Sequence, residues 1–284
     1  MPRFYNRIVA ERSSFGCEDN GVWQLIDATG DGYPDLAFIK TKNTGHGLVE
    51  VFIKGASTQY KGDLYAINTT FPEEDGGVYL LAPSKTGGLP DLVYIKTDRT
   101  PSGCVEVHIA SGASLYKTRT YDIVKIFPNQ DHHSGFWSVY DYSGDGSLDV
   151  VYIKTKNPDS NRVEVYVALG KSNYTQMFKS SSDFGSNDKE GFWSFAPYSS
   201  PRAADLVWIK NDNTGTKQVE VHVATQSSSY HERSYEGGSS FGQQQPNGVW
   251  SLIACAPNGV VDLAYIKTQD TGGIVEVHVA SGLP

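Results

Sequence analysis

The chain has 284 residues, among them 29 Gly, 17 Tyr and 5 Trp, with 20% charged residues and a net charge of −8. No Lys/Arg cluster is present to neutralise phosphates, which argues against a nucleic-acid partner, and no apolar run approaches the ~20 residues of a membrane-spanning helix. The three cysteines, Cys17, Cys104 and Cys255, are scattered with no CxxC spacing, which argues against a disulfide framework or a zinc site and fits a reducing compartment or indifference to redox.

Length alone, at about 150 residues per domain, suggests two domains. Abundant glycine with aromatic and β-branched residues points to strands and turns. In chain order, Phe4–Val9 with Phe15 reads as an isolated strand, and the chain enters this pattern with no apolar leader. The expected location is cytoplasmic or reached by non-classical secretion, with a mature secreted form as the alternative. A unit then begins at Gly21. GVWQLI, DLAFIK and VEVFI are three strands, and a fourth runs from Tyr60 to Phe71. The same order restarts at Gly77, Gly135, Gly191 and Gly248. The aromatic after each leading glycine falls at Trp23, Tyr79, Trp137, Trp193 and Trp250, with spacings of 56, 58, 56 and 57.

Four short strands per repeat of this length describe a propeller blade. The last unit stops after its third strand, and the N-terminal strand supplies the fourth. Counted through both chain ends, the interval from Trp250 to Trp23 is again 57. The sequence therefore predicts an all-β, five-bladed propeller of four antiparallel strands per blade. Its blades span about 21–75, 76–134, 135–190, 191–247, and 248–284 joined with 1–20.

Alternation along the second and third strands separates an aliphatic face (Ala37, Ile39, Val49, Val51, Ile53) from an aromatic and polar one (Phe38, Phe52, Lys40, Glu50). Neighbouring blades are expected to pack one face against the other. A Lys/Glu pair recurs in every unit as Lys40/Glu50, Lys96/Glu106, Lys154/Glu164, Lys210/Glu220 and Lys267/Glu276, joined in three by His108, His222 and His278. Two readings fit: a cross-strand ion pair between blades, or a sugar pocket in which charged groups beside an aromatic hold hydroxyls. Trp23, Trp137, Trp193 and Trp250 divide the same way, between packing and sugar stacking.

Two loops, DATGDGYPD and DYSGDGSLD, place Asp27, Asp31 and Asp35, and Asp141, Asp145 and Asp149, at the spacing of a Ca²⁺ loop. The other units lack the early carboxylates yet keep the last, as Asp91, Asp205 and Asp262, which implies a structural task such as accepting loop N–H bonds. Residues that break the repeat, as a catalytic carboxylate pair must, are Asp131-His132-His133 and His231-Glu232, and loop decoration explains both. Asn68-Thr69-Thr70 and Asn173-Tyr174-Thr175 are glycosylation sequons, relevant to a secreted chain.

The GDGxxDL-aromatic-IK pattern resembles the FG-GAP/VCBS repeat of integrin-type propellers and of mushroom lectins of the Psathyrella velutina type, while the blade count is similar to the tachylectin-2 class. The resemblance implies carbohydrate binding between adjacent blades. The expectation is a multivalent, non-enzymatic lectin for glycans or glycoproteins, with no required cofactor, an optional Ca²⁺ in one or two blades, and no membrane insertion. The alternatives are a protein-binding scaffold or toxin subunit, or a glycoside-active enzyme.

Overall fold

The structure is a computed structural model that describes residues 3–85, 87–122, 126–127, 135–186, 191–243, 248–255 and 259–283. Asp131-His132-His133 lie outside the described residues.

Twenty strands form five four-stranded antiparallel sheets. Blade 1 holds β2 (Gly21–Ile26), β3 (Asp35–Lys40), β4 (Leu48–Lys54) and β5 (Asp63–Pro72). Blade 2 holds β6 (Gly77–Ala82), β7 (Asp91–Lys96), β8 (Glu106–Ala110) and β9 (Arg119–Asp122). Blade 3 holds β10 (Gly135–Tyr140), β11 (Asp149–Lys154), β12 (Arg162–Ala168) and β13 (Met177–Gly185). Blade 4 holds β14 (Phe192–Ala196), β15 (Asp205–Lys210), β16 (Gln218–Ala224) and β17 (Arg233–Gly242). Blade 5 takes β18 (Gly248–Ala254), β19 (Val261–Lys267) and β20 (Ile274–Ala280), and its outer strand is β1 (Arg7–Gly16). The two-domain estimate from length gives way to one ring.

The innermost strands β2, β6, β10, β14 and β18 contact one another in turn around the axis. Each opens on a glycine or, in β14, directly follows one, because the backbone of the second strand leaves no room: a Cβ at Gly21 would stand 2.2 Å from the Ile39 carbonyl oxygen, and one at Gly248 would stand 2.1 Å from that of Ile266. The aromatic two residues on then stacks on the aromatic of the second strand, as Trp23 on Phe38 (centroids 4.3 Å apart) and Trp250 on Tyr265 (4.1 Å).

Burial runs around the ring in five shared cores. Ala37, Ile39, Val49, Val51 and Ile53 of blade 1 pack on Tyr79, Leu81, Leu92 and Tyr94 of blade 2. Val207, Ile209, Val219, Val221 and Val223 of blade 4 meet Trp250, Leu263 and Tyr265 of blade 5 in the same way. The aliphatic-on-aromatic packing expected from strand alternation is what the blades do. The Phe near the end of four outer strands reaches the next blade's stack edge-on, as Phe15 does 5.2 Å from Trp23 and Phe184 5.1 Å from Trp193, while Phe127 meets Trp137 tilted at 5.8 Å.

Between third and fourth strands the chain makes one 3₁₀ turn and two left-handed residues. In blade 1 these are Gln59 (φ 55°) and Tyr60 (φ 60°). Left-handed backbone is costly for an aromatic, and burial of the ring together with a hydrogen bond from Tyr60 N–H to the Gly55 carbonyl (2.9 Å) holds it there. Blade 5 builds the same turn from both chain ends. Phe4 (φ 63°) takes the tyrosine's place, its N–H donates to the Ser281 carbonyl (2.8 Å), and Ser281 N–H donates to the Asn6 carbonyl (2.7 Å).

Candidate functional site

The Lys/Glu rows are in register in all five blades, with Lys40 opposite Glu50 and Lys154 opposite Glu164. Yet none of the five pairs closes to ion-pair distance, which corrects the expected direct pairing. Each lysine turns instead to a group from a connecting segment or its own strand. Lys40 faces Glu18 (3.6 Å), Lys96 bonds Glu74 (2.8 Å), Lys154 nears Asp159 (3.8 Å), Lys267 donates to the Asp270 carbonyl (3.2 Å), and Lys210 lies over the Trp208 ring (5.4 Å). The glutamates are buried or half-buried and bonded locally. Glu106 accepts from Ser102 Oγ (2.8 Å), and Glu220 accepts from Thr216 N–H (3.0 Å) and Oγ1 (2.8 Å). Burial alone would push the Glu164 carboxyl up, but bonds from Tyr166, Ser160 and Lys179 hold it below the ordinary value. Glu50 stands opposite Asn68, and Glu276 lies 3.7 Å from Arg12.

The histidines stand beside these glutamates: His108 Nε2 is 3.6 Å from Glu106, His222 Nε2 is 3.4 Å from Glu220, and His278 Nε2 is 3.1 Å from Glu276. Burial pushes the His222 imidazole below its ordinary 6.5, against the pull of Glu236 and Glu220, with Arg233 adding to the depression. The unfolded chain therefore binds a proton that the native state refuses, and stability falls as pH drops from above 6.5 toward the depressed value. The ring stacks on Trp208 at 4.8 Å, so Phe fits its place. A His222→Phe variant is expected to show a flatter dependence of Tm on pH between about 7.5 and 5 than the parent in parallel thermal melts.

Trp23, Trp137, Trp193 and Trp250 are only 2–6% exposed and are core residues, so they offer no open sugar platform. The repeated Asp is also occupied. Asp35 accepts from Ala28 N–H (3.0 Å) and Ala56 N–H (2.8 Å), Asp149 from Ser143 N–H (2.9 Å) and Gly170 N–H (2.8 Å). Asp91 accepts from Gly112 N–H (2.9 Å), and Asp262 from Cys255 N–H (3.3 Å) and Gly282 N–H (2.8 Å). The carboxylate clamps the first loop of its blade to the 3₁₀ turn or its counterpart. Asp27 accepts from the N–H groups of Gly30 (2.7 Å), Asp31 (3.2 Å) and Gly32 (2.9 Å), Asp31 from Tyr33 (2.9 Å), Asp141 from Gly146 (3.0 Å) and Asp145 from Ser147 (2.8 Å). Among the described residues no three His, Cys, Asp or Glu side chains gather to hold a metal ion. These bonds give the early carboxylates a task in the turn itself, and they leave Asp141 Oδ1 without a donor.

Open clefts lie elsewhere, at equivalent positions between blades. A cleft of about 310 Å³ between blades 3 and 4 is lined by Tyr142, Val165, Val167, Phe178, Lys179, Ser180 and Ser229. One of about 180 Å³ between blades 5 and 1 includes Cys255, Val279, Val9, Glu11 and Gln59. Repeat position and sheet register equate Tyr142 with Cys255, Val167 with Val279, Phe178 with Val9, Ser180 with Glu11, and Ser229 with Gln59. Phe178 is 55% exposed. Between blades 4 and 5 the corresponding place is filled by the chain itself: the Arg3 guanidinium lies over the Tyr198 ring (5.1 Å), beside Tyr235. His231-Glu232 sit exposed in the turn before β17, with Glu232 N–H bonded to Ser228 Oγ (2.9 Å).

Sequence reasoning missed these clefts because their walls come from three segments and two blades. The one signal was the outer-strand residue opposite the third strand's last valine or isoleucine, which is apolar or aromatic in every blade: Val9, Tyr65, Tyr121, Phe178 and Tyr235.

Among the described residues no helix is long and apolar enough to cross a membrane. No protein-family model matches the chain, and no curated protein sequence matches it either.

Proposed function

We propose that the protein is a multivalent carbohydrate-binding lectin whose sites are the clefts between adjacent blades, with binding and not turnover as its activity. The observation that carries this reading is the equivalence of the two open clefts, which sit at the same place in the repeat. In the larger one an exposed aromatic, Phe178, stands with Tyr142 beside the hydroxyls of Ser180 and Ser229. A flat apolar wall suits the C–H face of a pyranose, and hydroxyls and amides at the rim suit its oxygens. Sites of this size bind a single sugar weakly. Two or more on one rigid ring raise avidity for a glycan-coated surface by roughly 10²–10⁴.

A glycan array probed with the wild type and with a Tyr142→Ala/Phe178→Ala double variant tests the proposal. Phe178 is half-exposed, so the ring is expected to stay folded, which CD melting checks. Losing an aromatic contact of about 1 kcal/mol weakens one site roughly fivefold, and surface retention falls further because avidity multiplies the loss. An array on which no glycan binds, or on which the double variant and a Gln59 variant bind like wild type, overturns the proposal. In that case retention of a protein ligand would favour the scaffold reading.

A further inference from the structure

A further cleft, larger than the two between blades, is built from loops that differ from blade to blade. It is a cleft of about 790 Å³ at the axial mouth of the ring, formed by the first loops of three consecutive blades. Blade 2 contributes Lys85, blade 3 Asp141 and Asp145, and blade 4 Arg202, with Pro83, Leu148 and Pro201 as apolar wall. The loops differ in each blade (PSKTGGLPD, DYSGDGSLD, PYSSPRAAD), so this combination occurs once.

Its charges are not matched to one another. Arg202 is exposed and makes no ion pair or hydrogen bond among the described residues. Lys85 Nζ donates to Ser147 Oγ (2.9 Å), a neutral partner. Asp145 is drawn to Ser147 N–H (2.8 Å) and faces Lys171 (3.9 Å). Asp141 uses Oδ2 for Gly146 N–H (3.0 Å), while its Oδ1 is buried with no donor. Two cations without carboxylate partners thus share a cleft with a carboxylate oxygen that lacks a donor, in a chain whose net charge is −8.

We propose that this axial cleft binds an acidic saccharide of the uronate type, one per ring, an inference that rests on the carbohydrate-binding reading. The sugar carboxylate takes the planar donor fork of Arg202, with Lys85 adding its charge. A turn of the Asp141 carboxylate brings its buried Oδ1 into the cleft, where a ring hydroxyl donates to it, and the two prolines and Leu148 cover the apolar face of the ring. A neutral sugar leaves the cations unmatched, and a simple anion supplies no donor to Asp141. Both halves of the ligand are needed, which is the basis of selectivity. The cleft volume is in the range that encloses an oligosaccharide end.

Titration calorimetry with methyl glucuronide and methyl glucoside on the full chain tests this. The glucuronide is expected to bind with one-to-one stoichiometry and to weaken as salt rises. Arg202→Ala is expected to cost about tenfold in affinity, one charge-assisted bond's worth, and Arg202→Lys less. Arg202 is exposed and makes no ion pair or hydrogen bond among the described residues, so its variants are expected to melt like the parent. Failure of glucuronide to bind, or binding indifferent to both Arg202→Ala and Lys85→Ala, overturns the assignment. Acetate competing as well as glucuronide reduces the cleft to an anion site and also overturns it. Array binding of neutral glycans is read separately at the inter-blade clefts, so either proposal can fail without the other.

Discussion

Deleting residues 1–16 is expected to leave no folded monomer. The deletion removes β1, which pairs with β20 from Arg7 opposite Ala280 to Gly16 opposite Ile274. It takes away Phe4, fully buried, and Phe15, which meets the Trp23 ring edge-on. It also leaves the Val275 carbonyl without the Ser13 hydroxyl at 2.8 Å. A buried Phe is worth about 3–5 kcal/mol and each lost backbone bond about 1, so the total is on the order of 8 kcal/mol. That approaches the entire stability of an ordinary domain. Size-exclusion chromatography with light scattering, alongside CD, should show aggregate or unfolded chain, and a monomer with the parent's melting curve would refute the closure. A permutant with the ends joined by a short glycine linker and opened within the 170–176 turn should instead fold. In that case the cut has only moved between turns that are built alike.

The second large effect is at the Asp clamp. Asp205 is fully buried and accepts from Ser199 N–H (2.6 Å) and Gln226 N–H (2.9 Å), tying the first loop of blade 4 to its 3₁₀ turn. Next to it, the buried Tyr230 hydroxyl donates to the Ala204 carbonyl (3.2 Å), so the turn and the loop are fastened at two points. Asp205→Ala takes the buried acceptor away from the Ser199 and Gln226 N–H groups at about 1–3 kcal/mol each, and a loss of roughly 3 kcal/mol is expected in urea unfolding. Asp205→Asn keeps the shape and one acceptor oxygen while turning an NH₂ toward an N–H, so its loss should be about half as large. Equal effects of the two substitutions would show that the carboxylate is not a two-handed acceptor. A similar loss at Asp262, where the second donor is Gly282 near the C-terminus, would show that the clamp also holds the closing turn.

Much of this architecture could be read from residue order, for identifiable reasons. The leading glycine, the aromatic two residues on and the DL-x-aromatic-IK run report steric facts, close strand approach and a stacked pair, which repeat wherever the packing repeats. The last Asp could be read as structural because it persists in loops that lack the early carboxylates. The register of Lys against Glu followed from the hairpin, but the partners did not. Glu18 and Glu74 stand three residues past Phe15 and Phe71, where the other units have Gln130, Asn187 and Gln244, and Asp159 lies in a hairpin, so charge pairing is decided by whichever group each connection delivers. The tryptophans carried a polar N–H that suggested a binding surface, and packing took them for the core. The inter-blade clefts depend on what is missing: Ser229 stands where Arg3 closes another cleft, and a vacancy leaves no mark on sequence. Blade 3 also has one residue fewer between Tyr174 and Phe184 than blade 1 has between Tyr60 and Phe71. Its outer strand starts in straight register, Met177 opposite Ala168, where blade 1 shifts between Ile53 and Lys54. That single deletion re-aims the outer strand that carries Phe178.

The blade faces have a directional consequence. Each interface joins an aliphatic surface to an aromatic one, never like to like, so every blade–blade contact is heterologous and has the same polarity. Units joined in this manner either return to their starting point or propagate without limit. Here each step turns one fifth of a circle, and the last aliphatic face meets the first aromatic face. A chain shortened by one whole blade would expose one face of each kind, and these fit one another on separate molecules. Its favoured fate is head-to-tail polymerisation, not a two-fold dimer. Five is therefore the number that keeps this repeat from becoming a fibre.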